Sequence, residues 1–219
     1  MIKMKYFFLL LVAFFITGCV SPIPLHEQAP DTNYNVTKKV LISVHDQRER
    51  VKEGKPEDFI GVAHATFGIP VDWHVSQVLA TEEGDKEKTL ADFLEHRILH
   101  GLQKQGWNVE AVKVTSGASD SEIMTLLADN QADKLIQLNI NEWYFSINLN
   151  WVSAFNFDTD TLVKIYEVND GQILEKQIAG RDVIEEKGDE SPQNNVLRAY
   201  REQLVEIFSD PEVKSKLTD

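Results

Sequence analysis

The sequence predicts an α+β domain, a mainly antiparallel sheet with helices packed on one face in a two-layer sandwich. Three observations carry this. From Asp133 to Ile184 apolar and polar residues alternate at period two, as in half-buried strands. Stretches starting near Leu90, after Ser119 and after Ser191-Pro192 instead repeat apolar residues every three to four positions, as in helices with one buried face. The order runs strand, loop, helix, strand, helix, then three antiparallel strands and a closing helix, which suits helices segregated to one side of a sheet.

The elements follow in turn. Lys39 to Val44 is a β-branched run and the first core strand, followed by a polar loop from His45 to Asp58. Phe59 to Ala63 is a short strand in which Gly61 permits a bend, and Ile69-Pro70 marks a turn into another short strand extending to about Leu79. Thr89 and Asp92 form a capping pair for the first helix, which Gly106 stops, with Leu90, Phe93, Leu94, Ile98 and Leu102 on one stripe. Trp107 to Val114 reads as a strand, and Ser119 with Glu122 caps a second helix ending near Asn130. Ile136, Leu138 and Ile140 alternate in one phase, whereas Trp143, Phe145, Ile147, Leu149 and Trp151 alternate in the other. Because a strand has period two, that switch demands a bulge near Asn141-Glu142. Phe155, Phe157, Val163 and Ile165 continue in a second long strand, and Asn169-Asp170-Gly171 turns into a third from Gln172 to Ile178. The last helix carries Val196, Leu197, Tyr200, Leu204, Ile207 and Phe208 on one face.

The N-terminus has its own logic. Lys3 and Lys5 precede an unbroken apolar run from Tyr6 to Ile16, and Ile16-Thr17-Gly18-Cys19 closes it. A helix of that length spans about 17 Å, too short for a hydrocarbon core about 30 Å thick. The stretch resembles a bacterial lipoprotein signal peptide, residues 1–18, ending in a lipobox with Cys19 as the acylated N-terminus. The resemblance implies a covalent diacylglycerol and an N-acyl chain (palmitate) on Cys19, and no other cofactor. Several acyl chains, at about 0.8 kcal/mol per buried CH₂, make a durable membrane anchor. Val20 and Ser21 follow the cysteine with no Asp, which by resemblance to sorted lipoproteins places the protein at the periplasmic face of the outer membrane. Residues 19–37, with three prolines and no periodicity, read as a flexible tether, and 38–219 as a single periplasmic domain.

Charge and cysteine content narrow the function. The full chain carries −13, and without the two signal lysines it is near −15, with 20 basic against 35 acidic residues. Nucleic acid is excluded as a partner because its phosphates would be repelled. The same charge predicts that the domain stands off anionic lipid on its tether. Cys19 is the only cysteine, so its acylation leaves no thiol for a disulfide, a nucleophile or a Cys-based metal site.

Val44-His-Asp46-Gln-Arg48, Ile60-Gly61, a helix ending in Gly106-Trp107 and the tail Ile207-Phe208-Ser209-Asp210-Pro211 with Leu217 accompany the lipobox. Together they resemble the YajG-type bacterial lipoproteins, a largely uncharacterised outer-membrane family. The longer loop between Ile69 and Lys88 and the aromatic-rich strand after Glu142 depart from that pattern.

Few constellations carry chemistry. His96 and His100 stand four apart on the first helix, a metal-gripping spacing, but they lie off its apolar stripe and Glu95 precedes rather than follows the first histidine, so they read as solvated. Asp46 and Arg48 form a possible structural or ligand-binding pair at the end of the first strand. Asn156, Asp158 and Asp160 share a strand face, but at about 6.8 Å spacing they are too far apart for one calcium ion and better suited to guarding an edge. Trp143, Tyr144, Phe145, Trp151 and Phe155, with Phe157, crowd the long strands. They either fill the core or form an exposed groove for a protein or lipid. No nucleophile elbow, Ser-His-Asp pattern or glycine-rich phosphate loop is legible, so no catalytic residue is assigned. The expected function is a non-catalytic, lipid-anchored accessory or interaction subunit that binds an envelope protein. The alternative is a carrier for a lipid or hydrophobic small molecule.

Overall fold

The computed structural model describes residues 21–64, 68–115, 117–148, 154–185 and 191–218; the signal sequence, Cys19 and Trp151 lie outside them. Seven strands form one open sheet: β1 (Val40–Asp46), β2 (Phe59–His64), β3 (Pro70–His74), β4 (Val109–Ala111), β5 (Lys134–Asn148), β6 (Ala154–Glu167) and β7 (Gly171–Glu185). The helices are a single turn α1 (Glu49–Lys52), then α2 (Leu90–Lys104), α3 (Asp120–Asp129), α4 (Pro192–Ser209) and α5 (Pro211–Thr218). The α+β class is as expected.

β5 is the axis of the sheet. One of its edges pairs antiparallel with β6 along nearly its whole length, and β6 pairs in turn with β7. The other edge is shared: β1 runs parallel to Lys134–Ile140, and β2 runs parallel to Phe145–Asn148. β4 extends the first flank and β3 the second. The long β5–β6–β7 meander makes the sheet mainly antiparallel.

The expected bulge is present, since the pairing of β5 with β6 shifts between Ile140 and Glu142. One extra residue restores the phase, so Ile136, Leu138 and Ile140 before it and Trp143, Phe145 and Ile147 after it all enter the same core. α2 and α4 cover that face. Thr89 caps α2 by accepting from the Asp92 N–H at 3.1 Å, and Leu90, Phe93, Leu94, Ile98 and Leu102 are all buried, as read from their spacing. Val196, Leu197, Tyr200, Leu204, Ile207 and Phe208 of α4 are buried in the same core.

α3 takes the opposite face. Its Ser119–Glu122 capping box forms, but Ile123 and Leu127 pack with Leu41, Leu135 and Tyr166, the side chains of the other strand phase, in a separate small cluster. Three further details differ from the sequence reading. Val75–Leu79 forms a π-helical turn rather than a strand, the strand after Trp107 shrinks to Val109–Ala111, and the tail folds as α5. There Asp210 Oδ1 accepts from the Glu212 and Val213 N–H groups at the start of the helix.

The expected tether needs correction over its described part. Residues 21–37 are packed against the domain, with Ile23, Gln28, Ala29, Pro30, Thr32 and Val36 buried. Ile23 and Val36 join the main core. This arm is seated so closely that a Cβ on Gly101 of α2 would lie 2.3 Å from the Pro30 carbonyl oxygen. Its few apolar residues lack periodicity because the arm is neither helix nor strand, and so the sequence pattern hid its burial.

Candidate functional site

Trp143, Phe145 and Phe155 are fully buried, so they form no exposed groove. Their rings interlock: Trp143 meets Phe157 edge-on at 5.6 Å and Tyr200 at 5.1 Å, and Phe145 lies 5.1 Å from Phe155. The alternation of β5 sends Tyr144 to the opposite face, half-buried, with the Arg50 guanidinium 3.9 Å from its ring centroid. The aromatic run is therefore core, with one ring outside it.

Asp46 and Arg48 do meet. Arg48 is buried, and its Nη2 lies 2.6 Å from Asp46 Oδ2 while its Nε donates to Oδ1 at 2.9 Å. The same guanidinium donates to the carbonyls of Phe59 and Glu57. Those contacts lie where β1 has ended and β2 is about to begin along the shared edge of β5. Arg48 thus satisfies the carbonyls at the break, and its donors are taken by the fold.

His96 and His100 are both partly buried on α2. Burial, with Lys88 and Arg97 nearby, lowers the pKa of His96, and burial with Lys104 and Arg97 lowers that of His100. Among the described residues no group of three or more His, Cys, Asp and Glu is arranged to hold a metal ion. Asp158 pairs with Arg181 across to β7, and Asp160 accepts from Gln177 Nε2 at 2.9 Å, so the acidic row on β6 is tied to its neighbouring strand.

Three features escaped the sequence reading. The first is a buried polar knot: Arg97 and Asp85 are both 0% exposed, 2.6 Å apart, and Arg97 Nε donates to Gln28 of the arm at 3.0 Å. The second is Lys134, also buried, whose ammonium donates to the Lys216 carbonyl at 2.5 Å, at the C-terminal, electronegative end of α5. Neither pairing is local in sequence, and no spacing announces it.

The third is the outer edge of β7. Its first half is tied to α5 through Lys176, which pairs with Asp210 at 2.8 Å and Glu212 at 2.6 Å. In its second half Ala179, Gly180, Arg181, Asp182 and Val183 are all exposed, and among the described residues β7 pairs only with β6. Between this segment and α4 lies a cavity of about 450 Å³ with Phe157 and Ile184 among its apolar lining and Asp182, Glu202 and Glu206 among its acids. Gln203 also lines it. The Gln203 Oε1 accepts from Thr159 Oγ1 at 3.0 Å, while its buried Nε2 has no hydrogen-bond partner among the described residues. An unpaired strand edge beside an acidic cavity can take up an extended chain.

No protein-family model matches the sequence, and no curated protein matches it. Similar solved structures include protein XCC0632 from Xanthomonas campestris, of family DUF330, at 12% identity and TM-score 0.48, over 86% of this chain and 90% of that one. The LpoB C-terminal domain from Salmonella enterica shares 11% identity at TM-score 0.32, over 69% and 88%. Lipoprotein GNA1162 from Neisseria meningitidis shares 9% at TM-score 0.31, over 79% and 99%. At these scores the likenesses carry no argument about function. Among the described residues no helix is long and apolar enough to cross a membrane.

Proposed function

We propose that the chain is a lipid-anchored, non-catalytic, YajG-like lipoprotein, held at the periplasmic face of the outer membrane by acylated Cys19. It acts as an accessory subunit by taking an extended segment of an envelope protein onto the free edge of β7. The observation that supports this best is the exposed run Ala179–Val183, on a strand that is paired on one side only among the described residues. Edge strands of this length usually have a cover or a partner. The acids of the adjoining cavity favour a segment bearing Lys or Arg.

The anchor rests on the cationic start, apolar run and lipobox of the first nineteen residues. The family likeness rests on short motifs that serve the fold in this chain. Arg48 and Asp46 close the β1–β2 break, and Asp210 caps α5. Gly61 is required because a Cβ there would lie 2.0 Å from the Phe145 carbonyl oxygen. The carrier alternative is disfavoured by the interlocking of Trp143, Phe145, Phe155 and Phe157, which would have to open to wall a lipid pocket.

Site-specific photo-crosslinking in intact cells tests the reading, with probes at Ala179 and Asp182 and a control at exposed Thr125 on α3. A discrete protein adduct at the β7 positions alone supports it. Adducts to lipid there would restore the carrier reading. No adduct at either β7 position overturns the interaction site.

A further inference from the structure

A cavity of about 470 Å³ lies where the arm, α2 and α4 meet, and its charge is opposite to that of the cavity beside β7. Lys104 of α2 and Arg198 and Arg201 of α4 line it, with the imidazoles of His26 and His100. Glu27 and Asp31 are the acids of its lining. Such a gathering of cations is out of character for a chain of net charge −13. Helical spacing explains it. His100 and Lys104 stand four apart on α2, and Arg198 and Arg201 three apart on α4, so each pair shares a helix face. The third wall is the arm, held in place by Gln105. Its Oε1 accepts from the Thr32 N–H at 2.8 Å and its Nε2 donates to the Pro30 carbonyl at 3.1 Å.

Most lysines and arginines among the described residues stand within ion-pair reach of a carboxylate. Arg198 is one of these, 3.0 Å from Glu27, so that acid is neutralised within the cavity. Lys104 and Arg201 face the same space with no ion-pair partner among the described residues. His100 registers the resulting field. Burial lowers its pKa, Lys104, Arg97 and His26 lower it further, and Glu82 opposes them. A lone unpaired cation on a surface is ordinary, because water satisfies it. Two that face one preformed hollow, with a third cation and two imidazoles beside them, make a receptor for an anion.

We infer that this cavity binds a phosphate ester, its phosphate held by Lys104 and Arg201 with His26 and His100 as further donors. Asp31 is placed to accept from a hydroxyl of the esterified alcohol. Phosphate suits the site better than carboxylate because the donors come from three different elements. A tetrahedral group offers oxygens in several directions, whereas a carboxylate offers two in one plane. The volume is that of a small-molecule site, so it leaves room for the alcohol beside the phosphate. A soluble phosphate ester and a phospholipid headgroup share this chemistry. Neither the β7 edge nor the anchor at Cys19 is needed for such binding.

Titration calorimetry on the full-length chain in a neutral detergent, with glycerol 3-phosphate as the probe, tests the site. The double variant Lys104→Gln/Arg201→Gln removes the two cations that make no ion pair, and far-ultraviolet circular dichroism checks its fold. Lys86→Gln/Lys216→Gln removes the same charge away from the cavity. The expected result is binding by the wild type and by the 86/216 variant, weakened more than about ten-fold in the 104/201 variant. In the wild type the His100 imidazole resonance, identified by its loss in His100→Gln, should titrate at higher pH with the probe bound. Nanodiscs separate the two sources. An upward His100 shift on exchanging phosphatidylcholine for phosphatidylglycerol, seen only with Lys104 and Arg201 intact, assigns the site to a headgroup. A shift that needs glycerol 3-phosphate assigns it to a soluble ester. Absence of binding in both settings overturns the site. So does binding that the two double variants keep or lose alike, which reports net charge and no cavity.

Discussion

Arg97 and Asp85 form an ion pair with no solvent exposure on either side, Nη2 to Oδ2 at 2.6 Å. The pair joins three parts of the chain that are remote in sequence. Asp85 also takes Lys88 at 2.8 Å and the N–H groups of Thr81 and Glu82, and Arg97 reaches Gln28 of the arm. Burial by itself raises the Asp85 carboxyl, but the hydrogen bonds from Arg97 and Lys88 outweigh it and hold the group well below the usual carboxylate range.

Asp85→Asn strands the Arg97 charge and is expected to cost about 3–5 kcal/mol at pH 7 in urea unfolding. The sign of the pH dependence follows from the lowered folded-state value. The carboxylate contributes fully above its unfolded pKa of about 3.9, and the contribution is lost as pH falls toward the folded value. The gap between wild type and Asp85→Asn should therefore narrow by about 1 kcal/mol on going from pH 7 to pH 3. A gap that widens in acid would contradict this.

Gly101→Ala sets two effects against each other. Alanine improves helix propensity by about 1 kcal/mol, but its Cβ would meet the Pro30 carbonyl at 2.3 Å, and backbone cannot yield cheaply there. Overpacking of this kind costs about 1–3 kcal/mol, so net destabilisation is expected. Limited proteolysis within residues 21–37 should accelerate before the core unfolds.

Arg48→Lys should fail to rescue Arg48→Met. One ammonium cannot match a fork that meets both Asp46 oxygens and the carbonyls of Phe59 and Glu57. Arg48→Met leaves the Asp46 charge uncompensated and is expected to lose about 3–5 kcal/mol in chemical unfolding. Arg48→Lys keeps the charge but not the donors for the Phe59 and Glu57 carbonyls, and should recover only a minor part of that loss.

Deleting Asn141 removes the extra residue of the bulge and brings Ile136, Leu138 and Ile140 into one alternation phase with Trp143, Phe145 and Ile147. β5 can then run as a regular strand, and a soluble folded protein with packed aromatics is expected. Asn141→Ala keeps the chain length and should keep the near-ultraviolet circular dichroism of the packed aromatics.

Much of this architecture was legible locally. The Thr89 and Ser119 caps, the stripe of α2, the β6–β7 turn and the phase switch in β5 are all interactions within a few residues, so spacing reveals them. The side of the sheet that α3 covers was not legible, because Leu41, Leu135 and Tyr166 are single apolar residues among polar ones on their face. Nor was the burial of Arg97, Asp85 and Lys134, since a charge that finds its partner through tertiary packing looks like any surface charge in sequence. The aromatic residues were visible, but the sequence left open whether they filled the core or formed a groove, because that depends on how far α4 reaches over the long strands. Trp143, Phe145, Phe155 and Phe157 are buried. The free edge of β7 was hidden because openness depends on what other elements leave uncovered.

The hydrogen bonds that Asn194 gives to Ser21 and accepts from Ile23 span more than 170 positions, and they set a schedule. The arm from Ser21 to Thr37 can be seated only after α4, near the end of the chain, has been made and has emerged. β5 likewise waits for β6 before its second edge is satisfied. A chain made N-terminus first therefore stays open until almost its last residue has emerged.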